Sequence, residues 1–504
     1  MFIIFVDLDT KYVIVCLNVK ILYIFRCVKS GGGMRFVGRK KEFKELDRRY
    51  RSKQSELIVV YGRRRVGKTA LVREFFGNKF DFLVTGIHDG TKEMQLSNFA
   101  MALHEYFGLR NSPKTWLDAF ALLRAGLLQV QSDGKKVVFF DEMPWMETPK
   151  SDFLKAFEVF WNGFAAWQKD ILLVVCGSAT TWLTENILND VGGLYNRATG
   201  RIFLEPFNLC ETEEFLKEKG IVWNRYDIIQ LYMVMGGIPF YLDQLQSDLS
   251  LAQNIDELFF KSHGKLWNEF NNLYAALFKN ADAHIKVVEA LSTKKMGLLK
   301  KEISEETGLP CNGLLSKILD NLSNSGFVRP YNYFGNKKKD ITYQLSDYYS
   351  LFYFRFIKDN YGKDENFWQN TLDFPAKRAW TGYAFEQVCK DHVQQIKNKL
   401  GIAGVLSERS SWFGKDSRSS QIDLVIDRRD RVINLCEMKY SETEFEIDKE
   451  YDKILRDRLD AFRKQTKTKK ALHITFVTVY GLMQGKYRSI AQSEVVGDDL
   501  FLAF

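Results

Sequence analysis

The chain has 504 residues, 46% hydrophobic and 27% charged, with 34 Gly and 8 Pro, a balance that excludes collagen-like, low-complexity and wholly disordered classes. That length accommodates about three or four domains, each with its own core. The net charge of +9 is compatible with a nucleic-acid partner, and residues 35–79 concentrate it, with 15 Lys+Arg against 5 Asp+Glu.

The seven cysteines form no C-x-x-C pair, which points away from a structural zinc site or a disulfide framework and toward a reducing, cytoplasmic compartment. Residues 1–33 are apolar but broken by Asp7, Asp9, Lys11 and Lys20. No run there reaches the roughly 18 residues of a membrane span, and no cleavage signal follows. Met34 directly precedes the first domain-like segment, so residues 1–34 are expected to be a non-native extension, and no membrane partner is expected.

The first chemical motif follows a β-branched run, Leu57–Tyr61, which predicts a buried strand. It leads into Gly62-Arg63-Arg64-Arg65-Val66-Gly67-Lys68-Thr69, with Ala70 opening a helix-spaced run to Phe76. This is G-x-x-x-x-G-K-[ST] in strand–loop–helix context, a phosphate cradle of backbone N–H groups at a helix N-terminus. Residues 62–70 are the expected ATP-binding residues. Lys68 is expected to reach the β- and γ-phosphates, and the Thr69 hydroxyl to bind Mg²⁺.

A second strand, Lys135–Phe140, ends in Asp141 and Glu142. Asp141 is expected to complete the Mg²⁺ site and Glu142 to polarise the attacking water. A third, Ile171–Cys176, ends in Gly-Ser-Ala-Thr. Ser178 stands where an ATPase with an extra strand between its two nucleotide motifs places a γ-phosphate sensor. Arg197 and Arg201 are the candidate arginine fingers, acting in cis or in trans.

Phe36-Val-Gly38-Arg39-x-x-Glu42, the Gly-Arg-Arg-Arg-Val-Gly-Lys-Thr loop, the Asp141-Glu142 strand end and Cys176-Gly-Ser-Ala-Thr180 together resemble the archaeal-type ATPase family of AAA+-related proteins, common in archaea and Bacteroidetes. The resemblance runs from 35 to about 260 and continues into the C-terminal half. It implies that Phe36, Gly38 and Arg39 lie near the nucleotide base, and that the lid turn Gly237-Ile-Pro239 touches the nucleotide. The residues themselves leave Gly236–Pro239 equally readable as a helix stop.

Residues 211–281 read as a helical lid, one helix starting at Glu211. From 282 to 345 three short amphipathic helices (around 285–291, 299–307 and 314–322) precede two strands, 327–334 and 341–345. This pattern predicts a winged helix-turn-helix with Lys337–Lys339 at its hairpin tip. The presumed recognition helix carries one base, Lys317, and one acid, Asp320, so DNA binding and protein interaction stay equally open. The aromatic stripe 348–356 is expected to be packing, within a helical linker, 346–375.

At the back, Gln421–Asp427 and Val432–Tyr440 alternate as two strands around a turn at 428–430. Period two puts Glu437 and Lys439 on one face, with Asp423 across the hairpin. Two carboxylates and a lysine so placed suit Mg²⁺-assisted phosphodiester hydrolysis. The D-x13-E-x-K pattern resembles the PD-(D/E)XK nuclease core over 376–504. That resemblance implies catalytic roles for Asp423, Glu437 and Lys439, and Glu386 on a preceding helix as a further metal ligand. Residues 461–470 add five bases and no acid.

The expected architecture is α/β: a P-loop ATPase core (35–210), lid (211–281), winged helix (282–345), linker (346–375) and nuclease-like domain (376–504). The expected function is a Mg²⁺-ATP-hydrolysing ATPase coupled to a nuclease-like domain acting on DNA. The alternative is an ATP-driven switch or remodelling protein with an inactive nuclease fold. A nucleotide-dependent homo-oligomer is left open.

Overall fold

In the computed structural model, residues 35–189, 193–194, 196–278, 280–335, 341–360, 362–371, 374–414 and 421–503 are described. The expected extension, residues 1–34, and the hairpin tip Lys337–Lys339 lie outside them.

Five short apolar runs form the first sheet: β1 (Glu56–Tyr61), β2 (Phe82–Thr85), β3 (Lys136–Asp141), β4 (Ile171–Gly177) and β5 (Gly200–Phe203). Their order is β2-β3-β4-β1-β5, with every pairing parallel. Parallel sheets are covered on both faces, which is why β1 and β4 are almost continuously apolar and buried. Strand β4 inserts between β1 and β3, as the position assigned to Ser178 requires. On one face, helices Lys92–Phe107, Trp116–Gln129 and Phe153–Gly163 bring Phe99, Trp116, Phe120, Phe153 and Phe157 onto Phe82 and Phe140. Thr115 and Asp118 close a capping box that sets the start of the second of these helices.

The segment expected to be a lid is helical, with helices Leu209–Glu218, Arg225–Met235, Pro239–Asp243, Leu251–Ile255 and Glu269–Leu277. Its first helix starts two residues before the expected Glu211. Asn208 is the cap, accepting from the Glu211 N–H at 2.9 Å, and Glu211 is the reciprocal partner in the first turn.

Three further helices, Ala281–Ser292, Lys300–Thr307 and Gly313–Asn324, accompany a small antiparallel sheet of β6 (Leu298–Leu299), β7 (Val328–Tyr331) and β8 (Thr342–Leu345), ordered β6-β8-β7. Strand β6 is too short to carry a periodic signal in the sequence. The aromatic stripe is core: Tyr349 and Phe352 pack on Phe259, and Phe352 and Phe356 on Trp368 and Trp380.

The last sheet contains β9 (Ser407–Phe413), β10 (Gln421–Arg428), β11 (Val432–Lys439), β12 (Ala471–Thr478) and β13 (Ser493–Val496), ordered β13-β12-β11-β10-β9. The β9–β10–β11 pairings are antiparallel, and β11–β12–β13 are parallel. Helix Lys449–Thr466 makes the crossover that the parallel β11–β12 pair needs. Helix Pro375–Asp391 packs against β11. Among the described residues no helix is long and apolar enough to cross a membrane.

Candidate functional site

The loop between β1 and helix Lys68–Phe75 takes its shape from three residues. Gly62 has φ 143°, and a Cβ there would run into the Leu204 carbonyl. Arg65 and Gly67 have φ 72° and 90°. This alternating left-handed geometry is one in which successive backbone N–H groups converge on an anion. Lys68 is buried at the end of the loop, its Nζ donating to the carbonyls of Gly62 at 3.1 Å and Arg63 at 2.9 Å, and to Ser178 Oγ at 3.3 Å. Burial holds the ammonium below the usual lysine range, against the pull of Cys176, Glu142 and Asp141.

Asp141 at the end of β3 is buried and accepts from the Thr69 hydroxyl through Oδ1 at 2.9 Å and Oδ2 at 3.1 Å. Burial raises its carboxyl above the usual range. Glu142 follows in the left-handed region, φ 46°, a conformation rare for a non-glycine residue and characteristic of functional turns. That turn carries its carboxylate to the end of β4, where Oε1 accepts from Ser178 Oγ at 2.6 Å and Oε2 from Ser178 N at 2.9 Å. Thus Lys68, Thr69, Asp141, Glu142 and Ser178 meet, as the sequence predicts. A buried lysine, a hydroxyl paired with a carboxylate and a convergent loop fit a nucleotide with its divalent cation. Thr69 and Asp141 are the residues that would hold the cation.

The surrounding loop residues are tied to other elements. The Arg39 guanidinium donates to the Glu205 carbonyl at 2.8 Å and to that of Val66 at 3.1 Å, and lies over the Phe207 ring at 4.6 Å. It therefore braces the loop from behind. The placement of Phe36 near the nucleotide base stays a sequence expectation. Arg65 pairs with Glu269 and lies 4.1 Å from the Phe240 ring centroid, and its carbonyl accepts from Phe240 N at 3.4 Å. The Gly236–Pro239 turn both stops helix Arg225–Met235 and brings the next residue, Phe240, to the loop. Arg63 is buried, forms an ion pair with Asp347 and lies over Phe327 at 4.6 Å. Arg64 keeps a buried Nη1 without a hydrogen-bond partner, and Val66 is buried. Ala70 is exposed on the helix that follows. Arg197 is exposed, and no contact among the described residues joins it to the Lys68–Glu142 cluster. Arg201 donates to the Leu188 carbonyl at 3.2 Å.

At the back, the register Leu424↔Cys436 puts Asp423 opposite Glu437 one residue further along. Lys439 Nζ lies 3.1 Å from Glu437 Oε1. The rest of the Glu437 carboxylate is engaged: Tyr451 donates to Oε1 and Arg458 to Oε2, both from helix Lys449–Thr466. These cations hold its carboxyl below the usual range despite burial. Glu386 lies on helix Pro375–Asp391, buried, with Oε1 accepting from Lys295 Nζ at 2.6 Å and Oε2 without a partner. Its carboxyl is pushed up to about 7, by burial and then by the nearby Asp423 charge. Among the described residues no group of three or more His, Cys, Asp and Glu side chains is placed to hold a metal ion.

Asp347, Glu269, Lys295, Tyr451 and Arg458 were not singled out by sequence. Tyr451 and Arg458 carry a local signal, seven residues apart on one helix face. Lys295 and Asp347 carry none, because their partners are 91 and 284 residues away.

Sheet order, phosphate loop and the Asp141–Glu142 pair define a P-loop nucleotide-binding domain. Residues 36–245 match the family described as an ATPase domain predominantly from Archaea. The chain is also similar to the uncharacterized protein MJECL04 of Methanocaldococcus jannaschii, 24% identical over 84% of this chain and 90% of that protein. The ATP-binding protein MJ0423 of the same organism is 48% identical over 48 residues, 10% of this chain and 81% of that protein. Among solved structures, the Walker-type ATPase PABY2304 of Pyrococcus abyssi aligns with TM-score 0.45 and 16% identity, over 64% of this chain and 96% of that one.

Proposed function

We propose that the chain binds and hydrolyses ATP at the P-loop and uses the nucleotide state to control its C-terminal half. The observation that carries this reading is the Glu142 carboxylate held by Ser178 beside Lys68, with Asp141 on Thr69. A Mg²⁺ ion on Thr69 and Asp141 would neutralise charge between the β- and γ-phosphates. Lys68 exchanges the loop carbonyls for phosphate oxygens. Glu142 orients the attacking water and accepts its proton, and Ser178 holds Glu142 in register.

The C-terminal half is read as a winged helix-turn-helix at 282–345 and a PD-(D/E)XK nuclease-like domain at 376–504, with DNA as the object. Glu437, Lys439 and Asp423 on facing strands, and the basic run 461–470, support it. In this role Asp423 and Glu437 would hold Mg²⁺ and Lys439 would stabilise charge on the scissile phosphate, while Glu386, held by Lys295, does not group with them as the further ligand expected from the sequence. A second reading is favoured by the engagement of Glu437 with Arg458, Tyr451 and Lys439. In that reading the domain binds a partner and cuts nothing.

Supercoiled and linear DNA incubated with Mg²⁺-ATP and the full chain, wild type beside Lys68→Ala and Lys439→Ala, separates the two. Cleavage lost in Lys439→Ala and altered in Lys68→Ala supports an ATP-coupled nuclease. Intact DNA alongside measurable ATP turnover supports the switch, and absence of turnover in the wild type contradicts both.

A further inference from the structure

Buried and half-buried polar contacts, linked to one another through the backbone of the β7–β8 hairpin and its flanks, run from the nucleotide loop to Glu386. The two residues that hold the Arg63 side chain flank that hairpin: Phe327 directly precedes β7, and Asp347 follows β8 by two residues. Both partners of the ion pair are less than a tenth exposed. A charge pair removed from water is geometrically demanding, because movement of one partner leaves the other uncompensated.

From the hairpin the contacts continue in two directions. Asp347 also caps helix Tyr348–Phe352, its Oδ2 accepting from Ser350 N at 2.9 Å and Ser350 Oγ at 2.6 Å. The next residue, Tyr348, donates from its hydroxyl to Asp391 Oδ2 at 2.6 Å. Arg329 on β7 pairs with the same Asp391 and donates to Gln387 Oε1 at 3.1 Å. Lys295 lies before β6, its carbonyl accepting from Gln344 on β8 at 2.6 Å while its Nζ holds Glu386 at 2.6 Å. Helix Pro375–Asp391 is thus gripped at Glu386, Gln387 and Asp391 by the same small module whose base holds Arg63.

The element able to drive this set is Lys68. Its Nζ donates to the carbonyl of Arg63, the residue whose side chain enters the hairpin base. A phosphate chain in the loop would draw Lys68 off the Gly62 and Arg63 carbonyls, and so would offer the backbone that carries the Arg63 side chain a second arrangement.

We propose that the Arg63–Asp347 pair couples nucleotide binding in the P-loop to the position of Glu386, by way of the β7–β8 hairpin and helix Pro375–Asp391. This rests on the nucleotide reading of residues 62–69 and not on nuclease activity. Coupling is a difference in free energy between two arrangements that both sites bias, not mere adjacency.

The test is amide hydrogen exchange of the full chain with and without Mg²⁺-ATP, comparing wild type with Asp347→Asn and with Tyr348→Phe. Asp347→Asn keeps the cap but removes the charge facing Arg63. Tyr348→Phe removes one hydroxyl and leaves the Arg63–Asp347 pair intact, so it serves where Asp347→Asn unfolds. In wild type, ATP is expected to change exchange both in 62–75 and in 375–391. In both variants the response in 62–75 is expected to persist; that in 375–391 is expected to fall at least fivefold in Asp347→Asn, and by a smaller factor in Tyr348→Phe, which removes one of the contacts that hold the helix. An unaltered helix response in the folded variants, or a wild-type response confined to 62–75, overturns the coupling alone. No response anywhere, with no ATP binding by calorimetry, overturns the nucleotide reading and the coupling with it.

Discussion

Ser178 holds both carboxylate oxygens of Glu142, its hydroxyl donating to Oε1 at 2.6 Å and its backbone N–H to Oε2 at 2.9 Å. The same hydroxyl accepts from Lys68 at 3.3 Å. One small residue at the end of β4 therefore contacts both the Glu142 carboxylate at the end of β3 and the Lys68 ammonium in the loop.

Removing that hydroxyl isolates its contribution. Ser178→Ala keeps the backbone N–H and loses the contacts to Glu142 Oε1 and Lys68. Hydrogen bonds to charged groups are worth about 1.5–3 kcal/mol, so kcat for ATP is expected to fall about tenfold or more, with ATP affinity changed little. Steady-state turnover beside equilibrium binding measures both. An unchanged kcat would show that Ser178 takes no part in positioning Glu142.

The Arg63–Asp347 pair makes a stability prediction independent of catalysis. Asp347→Leu leaves a buried guanidinium uncompensated, at a cost of about 3–5 kcal/mol. Arg63→Met together with Asp347→Leu is expected to be more stable than Asp347→Leu alone, because both charges are then gone. Urea denaturation of Asp347→Leu, of Arg63→Met alone and of the double variant completes the cycle, and strictly additive losses would contradict it.

His392 supplies the pH dependence. It is buried, its Nδ1 bonds the Val388 carbonyl at 2.8 Å, and its Nε2 accepts from Leu209 N at 3.0 Å, an arrangement only the neutral ring satisfies. Burial lowers its pKa from 6.5. The unfolded chain therefore binds this proton more readily than the folded one, so its stabilising contribution is present above pH 6.5 and is lost as the pH falls below that value. Urea midpoints at pH 7.5 and 5.5 are expected to differ less in His392→Gln than in wild type. Equal differences would remove His392 as the source.

Gly237 tests the turn at 236–239. A Cβ there would overlap the Phe207 backbone, in the segment that also carries Arg39 over the Phe207 ring. Gly237→Ala is expected to destabilise the fold by about 1–3 kcal/mol, the usual range for overpacking. A wild-type midpoint in thermal unfolding would mean the turn relaxes freely.

The nucleotide site was legible in the sequence because its parts are local: Gly62–Thr69 is one loop, and Asp141, Glu142 and Ser178 each follow a run of apolar residues that can only be a strand. The 3.6-residue spacing likewise disclosed the helices of 281–324, while β6, two residues long, left no period to detect. The start of helix Leu209–Glu218 was displaced because Glu211, read as its start, is the third-position partner of the Asn208 cap, a role that only the hydrogen bonds reveal. The surroundings of Glu437 were half visible, since period two puts Lys439 beside it but says nothing of Arg458 arriving from a later helix. Arg63 read as one more loop residue because its partner, Asp347, is supplied by the tertiary fold alone.

The central claim is that Glu142 activates water for ATP hydrolysis in this chain. Phosphate release from Mg²⁺-ATP by wild type and Glu142→Gln, with ATP affinity measured on both, tests it most directly. Equal affinity is expected, with a fall in kcat on the order of 10²–10⁴; wild-type turnover in Glu142→Gln would rule out Glu142 as the group that activates water.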